Sequence, residues 1–230
     1  MVLYGLDGMT HRSQAYGLLA VGLREHWDLE QLPSIARGKR GKPLFPDFPQ
    51  LRFNLSHSGP RALCALDRDE VGVDIQQITL RRSAFLDRLL SPEERAWLLG
   101  LGDDPEAFTQ LWTLKESFCK FTGLGLTRPV SAIPVPLPRQ ILPSGACLPF
   151  GSVCFTLFSG PGWRAAVCSP ARCASSIRWL TPGQLPPVGK KIPQKWSHSK
   201  LNAEKSLTLF SALFFYLFQG LKWEKRGDEW

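Results

Sequence analysis

The sequence predicts an α+β fold of two similar lobes, each a helix packed on a small, mainly antiparallel sheet. Amphipathic helical patterns occur at 12–27 and 105–122, and each is followed by short, alternating or extended segments. The strand-like segments are joined by short polar or Gly/Pro turns, which favour antiparallel pairing over long parallel crossovers. The order of helix, extended segments and hairpin runs through the chain twice, although no sequence repeat is visible. At 230 residues there is length for one large domain or two small lobes. The expected division is 1–78 for the N-terminal lobe, 79–185 for the C-terminal lobe and 186–230 for a linker and apolar extension.

The elements follow in order. "RSQAYGLLAVGLREHW" suits an amphipathic helix, and "IARGKRGKPLFPDFPQ" is a Gly/Pro loop bearing Arg37, Lys39, Arg40 and Lys42. That loop suits a phosphate grip, and a solvated basic loop is the competing reading. "LRFNLSHS" alternates as a strand, and "ALCAL-DRDE-VGVDIQQI" reads as a hairpin with a polar turn. In "LSPEERAWLL", Ser91 and Glu94 match a capping box. A helix over 105–122 has Asp104 as its N-cap, Pro105 at its first position and Gly123 at its end. Leu111, Leu114, Phe118 and Phe121 form its apolar stripe, while Trp112, Glu116 and Lys120 share a neighbouring face. "SVCFTLF-SGPG-WRAAVCS" predicts a second hairpin.

From Pro182 the composition shifts to a Pro/Gly/Lys linker and then to "SLTLFSALFFYLFQGL", sixteen residues from Ser206 to Leu221. That run is short for a membrane span. It could dock on the protein, bind a partner or a membrane surface, or remain a poorly folded extension; membrane contact is the less favoured of these.

With 43% hydrophobic and 21% charged residues, the chain belongs among soluble globular proteins. Its net charge of +8 suggests an anionic partner, but half of that excess lies after Leu185, so nothing demands a nucleic-acid face. The six cysteines form no C-x-x-C pair and have no closely set His, so free thiols are expected rather than a zinc site or redox dithiol. The opening residues lack the pattern of an export signal, which points to the cytoplasm.

Asp74 lies near the end of a buried-looking strand, where an unpaired carboxylate is expensive. A salt bridge or turn hydrogen bond would satisfy it, and so would a divalent cation. Glu116 on a following helix makes two carboxylates from two elements, a sparse oxygen set of the kind that holds magnesium together with substrate phosphates. Taken alone, Glu116 and Lys120 would be an ordinary surface pair. Glu94 stands between a cap and a third acidic site residue. His57 lies between two serines at a strand end, where adjacent residues point to opposite faces; this suits an anion contact better than a Ser-His pair.

"GKP", "FNLSHSG", "VGVDI", "LSPEE" and "LWTLKESFCKFTGLGL" occur in the order and approximate spacing of the 4'-phosphopantetheinyl transferases. The chain resembles the larger, pseudo-dimeric type, the surfactin-synthetase-activating-like enzymes, over roughly Leu3 to Leu185. The resemblance implies transfer of the phosphopantetheine arm of coenzyme A to a serine of an apo acyl or peptidyl carrier protein, releasing adenosine 3',5'-bisphosphate. It implies magnesium on Asp74 and Glu116, with Gln76 at a third, often acidic, position. It assigns proton transfer to Glu116 and Lys120, with Glu94 as a third candidate, and coenzyme A contacts to Lys42, Pro43, Ser56, His57 and Lys115. Arg12 and Arg37 are substitutes for a basic segment that this shorter first lobe lacks. Leu124 stands where many relatives carry Lys. The expected molecule is a cytoplasmic monomer with pseudo-two-fold lobes and no nucleic-acid partner. A non-catalytic module binding coenzyme A or a carrier protein is the alternative.

Overall fold

The strand β5 (Arg61–Asp67) carries "ALCAL", an apolar run without alternation, because both of its faces are covered. Ala62, Cys64 and Leu66 join one buried cluster, with Leu18, Leu19 and Leu23 of helix α1 (Gln14–Trp27). Leu63 and Ala65 join a second, with Val73, Ile75, Ala165 and Val167. The chain is thus layered as helix, sheet, sheet, helix.

The computed structural model describes residues 1–38, 41–80, 86, 89–123, 129–170, 173–174 and 176–186. The first sheet has the order β10-β1-β5-β4, with β1 Val2–Asp7, β4 Arg52–Ser58 and β10 Arg178–Leu180. A small hairpin, β2 (Ala36–Arg37) with β3 (Pro43–Leu44), precedes β4. The second sheet has the order β6-β9-β8-β7, formed by β6 Gly72–Gln77, β7 Cys147–Phe150, β8 Val153–Gly160 and β9 Trp163–Pro170. Helix α2 spans Pro92–Gly100, and α3, Pro105–Thr122, packs on β6 and β9. Among the described residues all pairings are antiparallel except β1 with β10.

The expected hairpin between "ALCAL" and "VGVDIQQI" does not form. β5 has both edges occupied, by β1 and β4, so β6 passes to the second sheet and pairs with β9. The sheets therefore exchange strands across the sequence divisions at 78/79: β6 belongs to the second and β10 to the first. The hairpin at "SVCFTLF-SGPG-WRAAVCS" forms as β8 and β9. The caps are also as the sequence predicts: Asp104 accepts from the Glu106 amide at 2.6 Å, and Gly123 closes α3 at φ 62°. Ser91 and Glu94 form their capping box.

Cys147 and Cys173 form a disulfide, correcting the expectation of six free thiols; Cys64, Cys119, Cys154 and Cys168 are free. The pairing joins residues 26 apart, through a strand and a later loop, which spacing rules do not detect. Among the described residues no helix is long and apolar enough to cross a membrane. The run at 206–221, with Lys39, Arg40 and Leu124, lies outside the described residues.

Candidate functional site

β6 is an edge strand, and its outer edge is stitched to the first sheet by side chains. Asn54 Oδ1 accepts from the Val73 amide at 2.9 Å, Ser56 Oγ from Ile75 at 3.4 Å and Ser58 Oγ from Gln77 at 3.0 Å. The alternating polar residues of "FNLSHS" thus satisfy alternate amides of β6, groups that would otherwise be orphaned.

The opposite requirement, close approach of a helix, explains the glycine of "VGVDI". A Cβ at Gly72 would lie 2.0 Å from the Ser117 carbonyl oxygen and 2.3 Å from the Phe121 amide nitrogen. The backbone of α3 therefore rests directly on β6, with the small, fully buried Ser117 at the contact. Asp74, two residues beyond Gly72, lies on the same strand face and meets the helix face carrying Glu116 and Lys120.

Asp74 is 1% exposed. Its Oδ1 receives the Lys120 ammonium at 2.7 Å and the Ser56 hydroxyl at 2.7 Å, and its Oδ2 receives the Gln76 amide at 3.0 Å. Lys120 also donates to Ser56 Oγ at 2.9 Å and to the Val73 carbonyl at 3.1 Å. Glu116 keeps some surface exposure, yet its carboxyl is desolvated and no hydrogen bond reaches it among the described residues. Burial first, and then the Asp74 charge, push it up to about 7, against the opposing pull of Lys120. Two acids from two elements, one of them without a donor, are a hard-oxygen set suited to a small divalent cation.

The remaining expected residues divide. Ser56 is buried within the Asp74–Lys120 cluster. Lys115 is 1% exposed, and its three protons go to Glu94 Oε1 at 2.5 Å, the Val130 carbonyl at 2.7 Å and the Ile133 carbonyl at 3.2 Å. An ammonium has three donors, and here all three are spent inside the fold. Glu94 also accepts from the Ser91 amide at 2.9 Å, so its carboxylate joins α2 to α3. Lys42 donates to Glu70 at 2.6 Å, Val71 O at 3.1 Å and Phe121 O at 3.0 Å. It thereby closes the C-terminal end of α3, where a cation complements the helix dipole, and is not an open phosphate grip in this arrangement. Lys42 and Pro43 line a small cavity with Arg52 and Glu70.

His57 lies on the β4 face that carries Phe53 into the α1 cluster. Its pKa falls to about 4, through burial and then the charges of Arg12 and Lys120. At neutral pH it can meet an anion through an N–H donor but not as a cation. Arg12 is exposed just before α1, and exposed Arg37 reaches the Gly41 carbonyl at 3.5 Å. Trp112 is buried, stacked against Phe108 at 6.0 Å.

Residues 70–168 match the 4'-phosphopantetheinyl transferase superfamily. The chain is 35% identical over 133 residues to the 4'-phosphopantetheinyl transferase Sfp of Bacillus subtilis strain 168, covering 56% of this chain and 59% of Sfp. It is 33% identical over 98 residues to the transferase gsp of Aneurinibacillus migulanus, covering 42% of this chain and 40% of the relative. To the transferase AcpT of Escherichia coli K12 it is 41% identical over 101 residues, 41% of this chain and 51% of the relative. The chain thus spans between two fifths and three fifths of these relatives' lengths.

Proposed function

We propose that this chain, whose residues 70–168 match the 4'-phosphopantetheinyl transferase superfamily, is a member of it and transfers the 4'-phosphopantetheine arm of coenzyme A to a serine of an apo acyl or peptidyl carrier protein, releasing adenosine 3',5'-bisphosphate. The observation that carries this reading is the meeting of Asp74, Glu116 and Lys120 at the Gly72 contact. Asp74 and Glu116, with Gln76 as a neutral neighbour, would hold magnesium. When bound, that ion supplies charge neutralisation at the pyrophosphate of coenzyme A.

The chain's own residues then do the following. Glu116 accepts the proton of the carrier serine hydroxyl, directly or through water, as the serine oxygen bonds to the β-phosphorus. Lys120 turns from Asp74 toward the bridging oxygen and neutralises, or protonates, that oxygen as its bond to phosphorus breaks. His57 donates its N–H to a nucleotide phosphate, and Arg12 and Arg37 supply positive charge at the cleft rim. Glu94 and Lys115 position α3 against α2. The two sheet-and-helix layers act as pseudo-two-fold lobes of a cytoplasmic monomer.

Incubation of the protein with coenzyme A, magnesium and apo carrier proteins, read by intact mass, should add one phosphopantetheine arm per carrier. Coenzyme A binding without transfer to any of several carriers would replace this reading by that of a non-catalytic binding module.

A further inference from the structure

Three cysteines converge on the second sheet, on the face away from α3. Cys147 of β7 lies opposite Thr156 of β8, and Cys154 lies two residues before Thr156, so the two are diagonal neighbours on one face. Phe155, between them in sequence, faces the other way and meets Phe118 of α3. After β9 the chain returns over the cysteine-bearing face, where the Ala174 amide donates to the buried Thr156 hydroxyl at 2.8 Å. That anchor sets Cys173 beside both other cysteines. The three sulfurs lie within 4.8 Å of one another, and Cys154 Sγ is 3.4 Å from Cys173 Sγ.

The set is suited to a ligand. Cys154 is buried, while Cys147 and Cys173 are exposed, so the cluster has a fixed floor and an open mouth. A hydrogen bond from the Leu148 backbone N–H favours the Cys154 thiolate, although burial, the larger effect, holds its pKa above the ordinary value. The cluster lies on the sheet face opposite the one that Phe155 turns toward α3.

We propose that Cys147, Cys154 and Cys173, once a thiol or phosphine has reduced the Cys147–Cys173 bond, bind one thiophilic d10 cation as a three-thiolate site. Reduction converts the disulfide to two thiols and oxidises the reductant by two electrons. Binding then releases one proton from each of the three thiols. Zinc(II) would complete its tetrahedron with water, whereas copper(I) is satisfied by three sulfurs. The cation replaces the disulfide as the closure of the same loop, which leads into β10 and so back to the first sheet.

The test uses the full-length, phosphine-reduced protein, titrated with zinc(II) and copper(I) against chromophoric chelators and with cobalt(II) as a spectroscopic probe. The expected result is one equivalent of zinc or copper bound, with a sulfur-to-cobalt charge-transfer band that oxygen ligands cannot give. Cys147→Ser, Cys154→Ser and Cys173→Ser should each lower the affinity at least tenfold and remove or weaken the band. Cys119→Ser should leave both unchanged. Absence of the band and of stoichiometric zinc and copper binding in the folded, reduced wild-type protein overturns the proposal. Unchanged affinity in Cys154→Ser overturns it too, since two surface cysteines would then suffice.

Discussion

Glu116 was legible in the sequence because its spacing from Lys120 and its place after Asp74 put acids on two adjoining elements. Its electrostatic state was not legible, since that depends on burial and on the Asp74 charge. With its pKa raised from 4.5 to about 7, the folded protein binds a proton that the unfolded chain has already lost between those values. Ion-free stability therefore falls as pH rises through this window. A cation must displace that proton, so magnesium affinity should rise as pH increases through about 7. Calorimetry in two buffers of different ionisation enthalpy should show proton release below pH 7 that fades above it. His57 works in the opposite direction. Its pKa is lowered from 6.5 to about 4, so stability should fall as pH drops through that range, when the unfolded chain takes up the proton first. His57→Gln should flatten this acid-side loss in urea midpoints measured between pH 7.5 and pH 5. Lys42, Lys115 and Ser56 were the residues whose surroundings the sequence did not disclose. Each has the chemistry of a ligand contact, but a motif gives residue type and order without saying whether the donors are already spent within the fold.

At the scale of elements, α3 was read correctly because its signals are local: a capping Asp104, Pro105, a four-residue apolar step and Gly123. The partner of β6 was misread because strand pairing is a competition among edges, and β5 had none to spare. Local alternation in "FNLSHS" was visible as a strand, but its polar face was a stitch to β6 rather than a solvent face. Gly72 is the position where these elements set the site. Gly72→Ala would drive a methyl group into the backbone of α3, and overpacking of this kind costs about 1–3 kcal/mol. It should also move Glu116 and Lys120 away from Asp74. We expect a lower thermal midpoint with a disproportionate loss of transfer. Unchanged transfer would mean that the α3–β6 contact does not set the catalytic spacing.

For the whole molecule, an α+β fold of helices on mainly antiparallel sheets was foreseeable from the repeated order of elements. The exchange of β6 and β10 between the sheets was not, because contiguous segments are all that a division of the sequence can offer. The exchange has a functional consequence: Asp74 sits where the first sheet, the second sheet and α3 all meet, held by Ser56 from β4 and Lys120 from α3. The most direct measurement is single-turnover phosphopantetheine transfer by Glu116→Gln against the wild-type protein, at saturating magnesium and coenzyme A, with circular dichroism as the fold control. Glu116→Gln keeps the shape and removes the charge, so the rate should fall by at least 100-fold, about 2.7 kcal/mol, with the fold unchanged. A folded Glu116→Gln protein that transfers at the wild-type rate would contradict the assignment of Glu116 and, with it, of the Asp74–Glu116–Lys120 cluster.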